Sequence, residues 1–331
     1  MENKKAVSAA LKREAEKYKE EQDQAMEDAT TTLSQYLMFI VGMVIVIYIG
    51  FSYQEMAKDI ERSSFGFPDQ CGLKEIEQNS SNYEYGLESL KILGGVRVPE
   101  VVELEDADYE DPQSWILNGD SITKVGGNYW YIAVDTDMSG ISGDMLRKWF
   151  ETVNCSDMYR WWHPKDHDYG IWLDHEVYEA TSSLVARQGK IHRVKERIGG
   201  KMNKLDIFFH DPCAGKDCEG LKAQGVELIL SGKVHAYLTP IGRVYAGFFI
   251  HTLRADDTGS TLHSRFTMGK DIHCLDQPTS WSCYLLHTFE WLIKKIMLSE
   301  KAAGAMFIHC REEMFTLGRL LAKLNNGSVM S

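Results

Sequence analysis

The apolar pattern of this chain changes period once, and that change constrains the fold more than any other feature. From Asn128 to Gly269 the sequence runs in strand-length apolar or alternating pieces: YWYIAV (129–134), KLDIFF (204–209), VELILSGKVHAYL (226–238), RVYAGFFIHTLR (243–254) and TLHSRFTMG (261–269). Turn residues separate them, among them Gly225, Gly232, Pro240, Gly242, Asp257 and Gly259. Such spacing predicts an antiparallel meander, with one helix interrupting it near Ser142–Val153. Beyond Pro278 the apolar residues fall at helical spacing, first Leu285, Phe289, Leu292 and Ile296, then Met306, Phe307, Met314, Leu317, Leu320, Leu321 and Leu324. Gly304 is expected to break or kink that segment. A curved antiparallel sheet closed by one long C-terminal helix is an α+β helix-grip arrangement, and it encloses a cavity.

The preceding residues differ in kind. Residues 1–34 are rich in Lys, Glu, Gln and Ala and read as a charged, helix-prone arm without a continuous apolar face. Tyr36 to Tyr53 then holds no charged residue; at 1.5 Å per residue such a run nearly crosses a ~30 Å hydrocarbon core. The expected domains are therefore the arm (1–34), a hydrophobic helix (35–54), a connector carrying the start of the catalytic region (55–125), and the helix-grip domain (126–325). The hydrophobic helix reads as a single N-terminal membrane anchor with the arm on the cytoplasmic side. The competing reading buries it against the protein body or in a homodimer seam, leaving a cytoplasmic protein. The connector is expected to be loop-rich with short helical pieces, its acidic run Glu103–Asp111 a solvated surface.

Across its 331 residues the chain carries a formal charge of −12, which repels phosphate backbones, so nucleic acid is not an expected partner. The seven cysteines are odd in number and irregularly spaced, and most read as reduced, packed residues. Cys213 and Cys218, in DPCAGKDC, read as two unrelated loop thiols, with pairing or metal binding as alternatives.

Four groups of residues carry possible chemistry. In MFIHCREEMFTLG, His309 and Glu313 stand four apart on one helical face and can hold a single ion; Glu312 lies one residue off that face, toward solvent. An H-x-x-x-E pair is more often a helical hydrogen bond, but the apolar neighbours Phe307, Ile308, Met314 and Phe315 raise the case for a buried ion. In YRWWHPKDHDYGIW (159–172), His163 and His167 sit among aromatics, and Pro164 argues for a loop that aims them inward. In IHRVKERIGG, alternation puts His192, Val194, Glu196 and Ile198 on one face, so Glu196 points inward and needs a cation, with His192 its competitor. His251 ends the apolar run GFFI and is read as either a satisfied core histidine or a catalytic one. His167, Glu196, His309 and Glu313 together supply nitrogen and oxygen donors without thiolate, which suit zinc ahead of iron or manganese.

Four segments in order, YRWWHPKDH, VKERIGGKMNKLDIFFHDP, HTLRADDTGSTLHSRFTMG and HCREEM, resemble the signature segments of the diacetylphloroglucinol hydrolase and phloretin hydrolase family, over roughly residues 85–325. The resemblance implies a Bet v1-like helix-grip fold and hydrolysis of a carbon–carbon bond in a small aromatic (polyphenolic ketone) substrate. One zinc (Zn2+) per chain would be held by His167, Glu196, His309 and Glu313. It further implies that Tyr159 and His251 line the pocket and serve catalysis, with Tyr159 and Phe266 on the substrate wall; His163 is expected on that wall because two histidines share its aromatic-rich loop. The sequence departs from the family pattern at Phe266, where a tyrosine is expected, and at Gly170, where an asparagine is expected. Two other readings stay open: a non-enzymatic helix-grip protein that binds a hydrophobic aromatic ligand, and a membrane-tethered interaction module.

Overall fold

The structure is a computed structural model that describes residues 73–105, 110–153, 155–173, 182–238, 242–257, 259–275, 284, 294 and 298–326. All of them fall within the unit Phe67–Ser331. In chain order the elements are α1 (Leu73–Leu93), β1 (Val101–Leu104), a 3-10 turn (Pro112–Ile116), β2 (Ser121–Val125), β3 (Tyr129–Asp137), α2 (Gly143–Thr152), α3 (Ser156–Trp162) and β4 (His167–Leu173). They continue as β5 (Ile191–Ile198), β6 (Lys201–Phe209), α4 (Glu219–Lys222), β7 (Val226–Leu238), β8 (Gly242–Asp256), β9 (Gly259–Cys274) and α5 (Glu300–Asn326).

The strands form one sheet of nine, ordered β1-β2-β3-β9-β8-β7-β6-β5-β4. All neighbours pair antiparallel except β1 with β2. The α+β helix-grip expectation is met. Each of the five strand-like runs lies in its own strand, and α2 occupies the position read for the interrupting helix, its first turn capped by Ser142 Oγ accepting from Met145 N–H. Between β5 and β6, Gly199 and Gly200 turn the chain with φ of +59° and +79°, a pairing of positive angles that a two-residue hairpin loop requires and side chains resist.

α5 lies against the concave face. Its buried residues Phe307, Cys310, Met314, Leu317, Leu321 and Leu324 recur every three or four positions and join one core with Ile132, Trp149, Val194 and Leu253. The helix runs unbroken through Gly304, which corrects the expected break there. The loop-rich connector is corrected too. It holds a 21-residue helix, α1, whose Ser89 accepts from Arg319 Nε of α5 (3.1 Å) and whose Asn82 accepts from Lys323 Nζ (2.8 Å).

The cysteine expectation also fails. Cys213 and Cys218 form a disulfide, Cys155 and Cys274 are disulfide-bonded as well, and among the described residues Cys310, buried in α5, is free. Disulfides persist in oxidising compartments, so the cysteines give no support to a cytoplasmic placement. Replacing both Cys213 and Cys218 by Ser should cost about 2 kcal/mol, the value for so short a loop, and lower the melting temperature by a few degrees. Unchanged melting would show that the small core holding both sulfurs with Trp115, Leu221 and Ile229 fixes the loop by itself.

Localisation by a single membrane-spanning N-terminal helix is corrected: no helix among the described residues is long and apolar enough to cross a membrane. The arm 1–34 and the run 36–53 lie outside the described residues.

Candidate metal centre

Three elements bring four donors together. In the β4–β5 pair, His167 is the direct cross-strand partner of Glu196, so antiparallel register alone makes neighbours of residues 29 apart in sequence. A bulge follows His167 and re-aims it. From above the sheet, α5 presents His309 and Glu313 one turn apart. His167 Nε2 lies 3.7 Å from Glu196 Oε2 and 3.5 Å from Glu313 Oε1. His309 Nε2 lies 3.8 Å from Glu196 Oε2 and 4.0 Å from Glu313 Oε2. Ligands about 2.1 Å from a tetrahedral zinc stand about 3.4 Å from one another, so these donors surround a common point with slight expansion.

The tautomers agree with that reading. His167 Nδ1 donates to the Tyr159 carbonyl (3.0 Å), which leaves a lone pair on Nε2; that nitrogen is buried and has no hydrogen-bond partner. His309 Nδ1 is bonded to Asp166 Oδ2 (3.2 Å), again freeing Nε2 for the shared point. Two imidazoles fixed by partners behind them, with lone pairs converging between two carboxylates, fit a divalent cation. Tyr159 serves as scaffold as well as cavity wall. Its hydroxyl donates to Glu196 Oε2 (2.7 Å) and its ring stacks on His167 at 3.8 Å and 5°.

The charges are strained without an ion. Burial pulls the His309 ring toward neutrality, but Asp166, Glu196 and Glu313 around it push its pKa up to about 10. Burial, with Glu196 nearby, pushes Glu313 up to about 8 despite the charge on His309. Burial holds His167 well below the usual histidine range. Burial opposes the charge on Glu196, yet His309 and the Tyr159 hydroxyl keep its carboxyl below the usual value. A cation placed among these groups satisfies both carboxylates and leaves both rings neutral.

His163, Asp166 and His309 also cluster within 4.8 Å of one another, and they differ in kind from the first group. Asp166 N–H donates to His163 Nδ1 (3.2 Å), so a neutral His163 carries its proton on Nε2. That nitrogen faces Glu312 Oε2 (3.5 Å) and Asp166 Oδ2 (3.8 Å), a donor turned to carboxylates rather than a lone pair offered to metal. His163, expected on the substrate wall, instead stacks behind His309 (5.1 Å, 18°) because α3 ends there and Pro164 turns the chain. Glu312, expected to face solvent, is mostly covered and lies near both His163 and Lys165. Asp166 was not singled out in the sequence; its only signal was its place one residue before a candidate ligand. Asp166→Ala should weaken metal binding about 10- to 100-fold, as loss of the carboxylate behind a ligand histidine does. Competition against a chelator measures it, and unchanged affinity would show that His309 needs no such support.

The centre opens on a cavity. Phe150, Trp162, Leu205, Phe209, Phe249 and Met314 make its wall apolar, and the expected residues Tyr159, His251 and Phe266 line it too. His251 Nδ1 is bonded to Ser264 Oγ (2.8 Å), Phe266 meets its ring edge-on (5.6 Å, 80°), and burial lowers its pKa to about 3.

Among solved structures, the crystal structure of Ara h 8.0201 is similar at 14% identity, covering 54% of this chain and 97% of that one with a TM-score of 0.24. No curated protein matches the chain. The profile of the DAPG hydrolase PhiG domain matches residues 109–326, a span that holds the four clustered donors and every cavity residue named above. On that match the chain belongs to the DAPG hydrolase family and is a hydrolase.

Proposed function

We propose that this chain cleaves the carbon–carbon bond between an acyl group and an electron-rich phenolic ring of an acylphloroglucinol, with one zinc per chain held by His167, Glu196, His309 and Glu313. The observation that carries the reading is the buried, unpartnered Nε2 of His167, aimed at the point that His309 and the two carboxylates share. When bound, zinc supplies Lewis acidity, making water nucleophilic near neutral pH and polarising a ketone.

The chain's own residues do the rest. The aromatic wall seats the ring and keeps bulk water away from the reacting bond. Tyr159 holds Glu196 in place through its hydroxyl. His251, oriented by Ser264, takes the proton that water gives up and passes it to the ring carbon. Burial disfavours its protonated form, which makes the second transfer downhill. The ring carbon that bears the acyl group takes the proton first, a step that the electron-donating ring hydroxyls stabilise, and the acyl–ring bond then breaks with its electron pair returning to the ring to restore aromaticity. The products are a carboxylic acid and the free phenol, which balances one ketone plus one water.

Elemental analysis should find about one zinc per chain, and diacetylphloroglucinol or phloretin should yield acid and phenol. A protein that takes up no divalent metal sinks the proposal. The apolar wall and the absence of a hydroxyl at Phe266 would equally suit a carrier; stoichiometric ligand binding with no product, in metal-loaded protein, supports that reading instead.

A further inference from the structure

His192 stands out among the cavity residues because the mechanism leaves it idle. It shares the inward face of β5 with Glu196, two residues away, about 6.7 Å along the strand. It is 3% exposed, lines the cavity, and no described residue hydrogen-bonds either ring nitrogen. An imidazole on a cavity wall that no described residue pairs gains free energy when a polar group entering the cavity pairs with it.

Its surroundings hold it rigid. The ring stacks on Trp172 at 4.4 Å and 14°, and Trp172 is pinned by its Nε1 donating to the Val153 carbonyl (2.6 Å) and by the Arg187 guanidinium 4.0 Å from its centroid. Tyr159 meets His192 edge-on at 5.1 Å. Gly170 makes that approach possible, since a Cβ there would fall 2.7 Å from Tyr159 Cγ and 3.0 Å from His192 Nε2. The chain gives up a side chain at 170, and a histidine nitrogen occupies the edge of that space.

We infer that His192 is the residue that selects a hydroxylated ring, its imidazole pairing with the phenolic hydroxyl opposite the acyl group. This rests on the hydrolase reading for the substrate's orientation. With the ketone at the donors around Glu196, a benzene ring and its para oxygen span about the separation of two inward positions on one strand. A neutral imidazole offers one donor and one acceptor, the complement of a hydroxyl.

Trihydroxyacetophenone and its analogue lacking the hydroxyl opposite the acetyl group form the test pair, with zinc-loaded protein. The native chain should favour the trihydroxy compound by about 10- to 100-fold in kcat/KM, the range for leaving a buried partner unpaired. His192→Phe, which keeps a ring on Trp172, should cut the ratio by about 10-fold by slowing the trihydroxy compound far more than its analogue, leaving the preference that the ring's own reactivity supplies. His192→Gln, which restores a polar group, should recover part of it. Equal slowing of both compounds in His192→Phe, which leaves the ratio unchanged, overturns the inference. If zinc-loaded native protein turns over neither compound, the hydrolase reading fails, and calorimetric affinities for the same pair decide the role of His192. A preference present in the native chain and lost in His192→Phe then supports it, and equal affinities overturn it.

Discussion

His167→Ala should empty the metal centre and reduce hydrolysis by on the order of 10³-fold or more, since the proposed reaction relies on the metal both to make water nucleophilic near neutral pH and to polarise the ketone. The expected loss exceeds the ~10- to 100-fold that follows when a residue behind a ligand is changed, because the substitution removes a donor and not only its support. It also removes the ring that stacks on Tyr159, whose hydroxyl holds Glu196, so a second ligand loosens with the first. The variant leaves two carboxylates and one imidazole around a small void. Zinc content per chain and kcat/KM are the paired readouts, and circular dichroism checks that the sheet remains. His309→Ala is the matched variant from the helix side, and it should lose metal without disturbing the Tyr159 contacts. A His167→Ala protein that keeps a full equivalent of zinc and native turnover would show that the four donors are not the centre.

The parts of this site that could be read in the sequence are those where one period held over several residues. Alternation in β5 put Glu196 inward, and it is 6% exposed beside Val194 at 0%. The four-residue spacing on α5 put His309 and Glu313 on one face, because helices keep their period even when their surface is mixed. β4 escaped such reading. HDYGIWL shows no clean alternation, starts just after a proline turn, and carries the glycine that lets Tyr159 and His192 approach. His167 was therefore picked out by its company rather than by period.

α1 was missed for a related reason. Its buried positions include Asn82 and Ser89, polar residues matched to Lys323 and Arg319 on α5, and a face buried through such pairs leaves little apolar periodicity to see. Cysteine pairing depends on which loops meet in space, so an odd count said nothing of Cys213 with Cys218, nor that the buried Cys310 stays free. Asp166 shows the same limit. A carboxylate that supports a ligand from behind has no spacing rule, since its partner arrives from a helix 143 residues away.

His251→Gln should lower kcat by about 10²- to 10⁴-fold, the range for losing a positioned proton-transfer group, while zinc content stays at one per chain. His251 lies on β8 and not among the clustered donors, so metal binding has no reason to depend on it. Glutamine keeps much of the side chain's bulk and can still bond to Ser264, but it cannot carry a proton from water to carbon. Substrate binding rests mainly on the apolar wall, so KM should move by a few-fold at most. The combination separates this role from a structural one, since a collapsed cavity would raise KM, and a disturbed centre would shed zinc. Ser264→Ala gives a graded control. His251 keeps its ring but loses the partner at Nδ1, so kcat should fall by less than in His251→Gln, with Phe266 still packed edge-on against the ring. Turnover in deuterated water checks which bond is cleaved, because deuterium must appear at the ring carbon that carried the acyl group. Native kcat in His251→Gln would move the proton-carrying role to another group on the cavity wall.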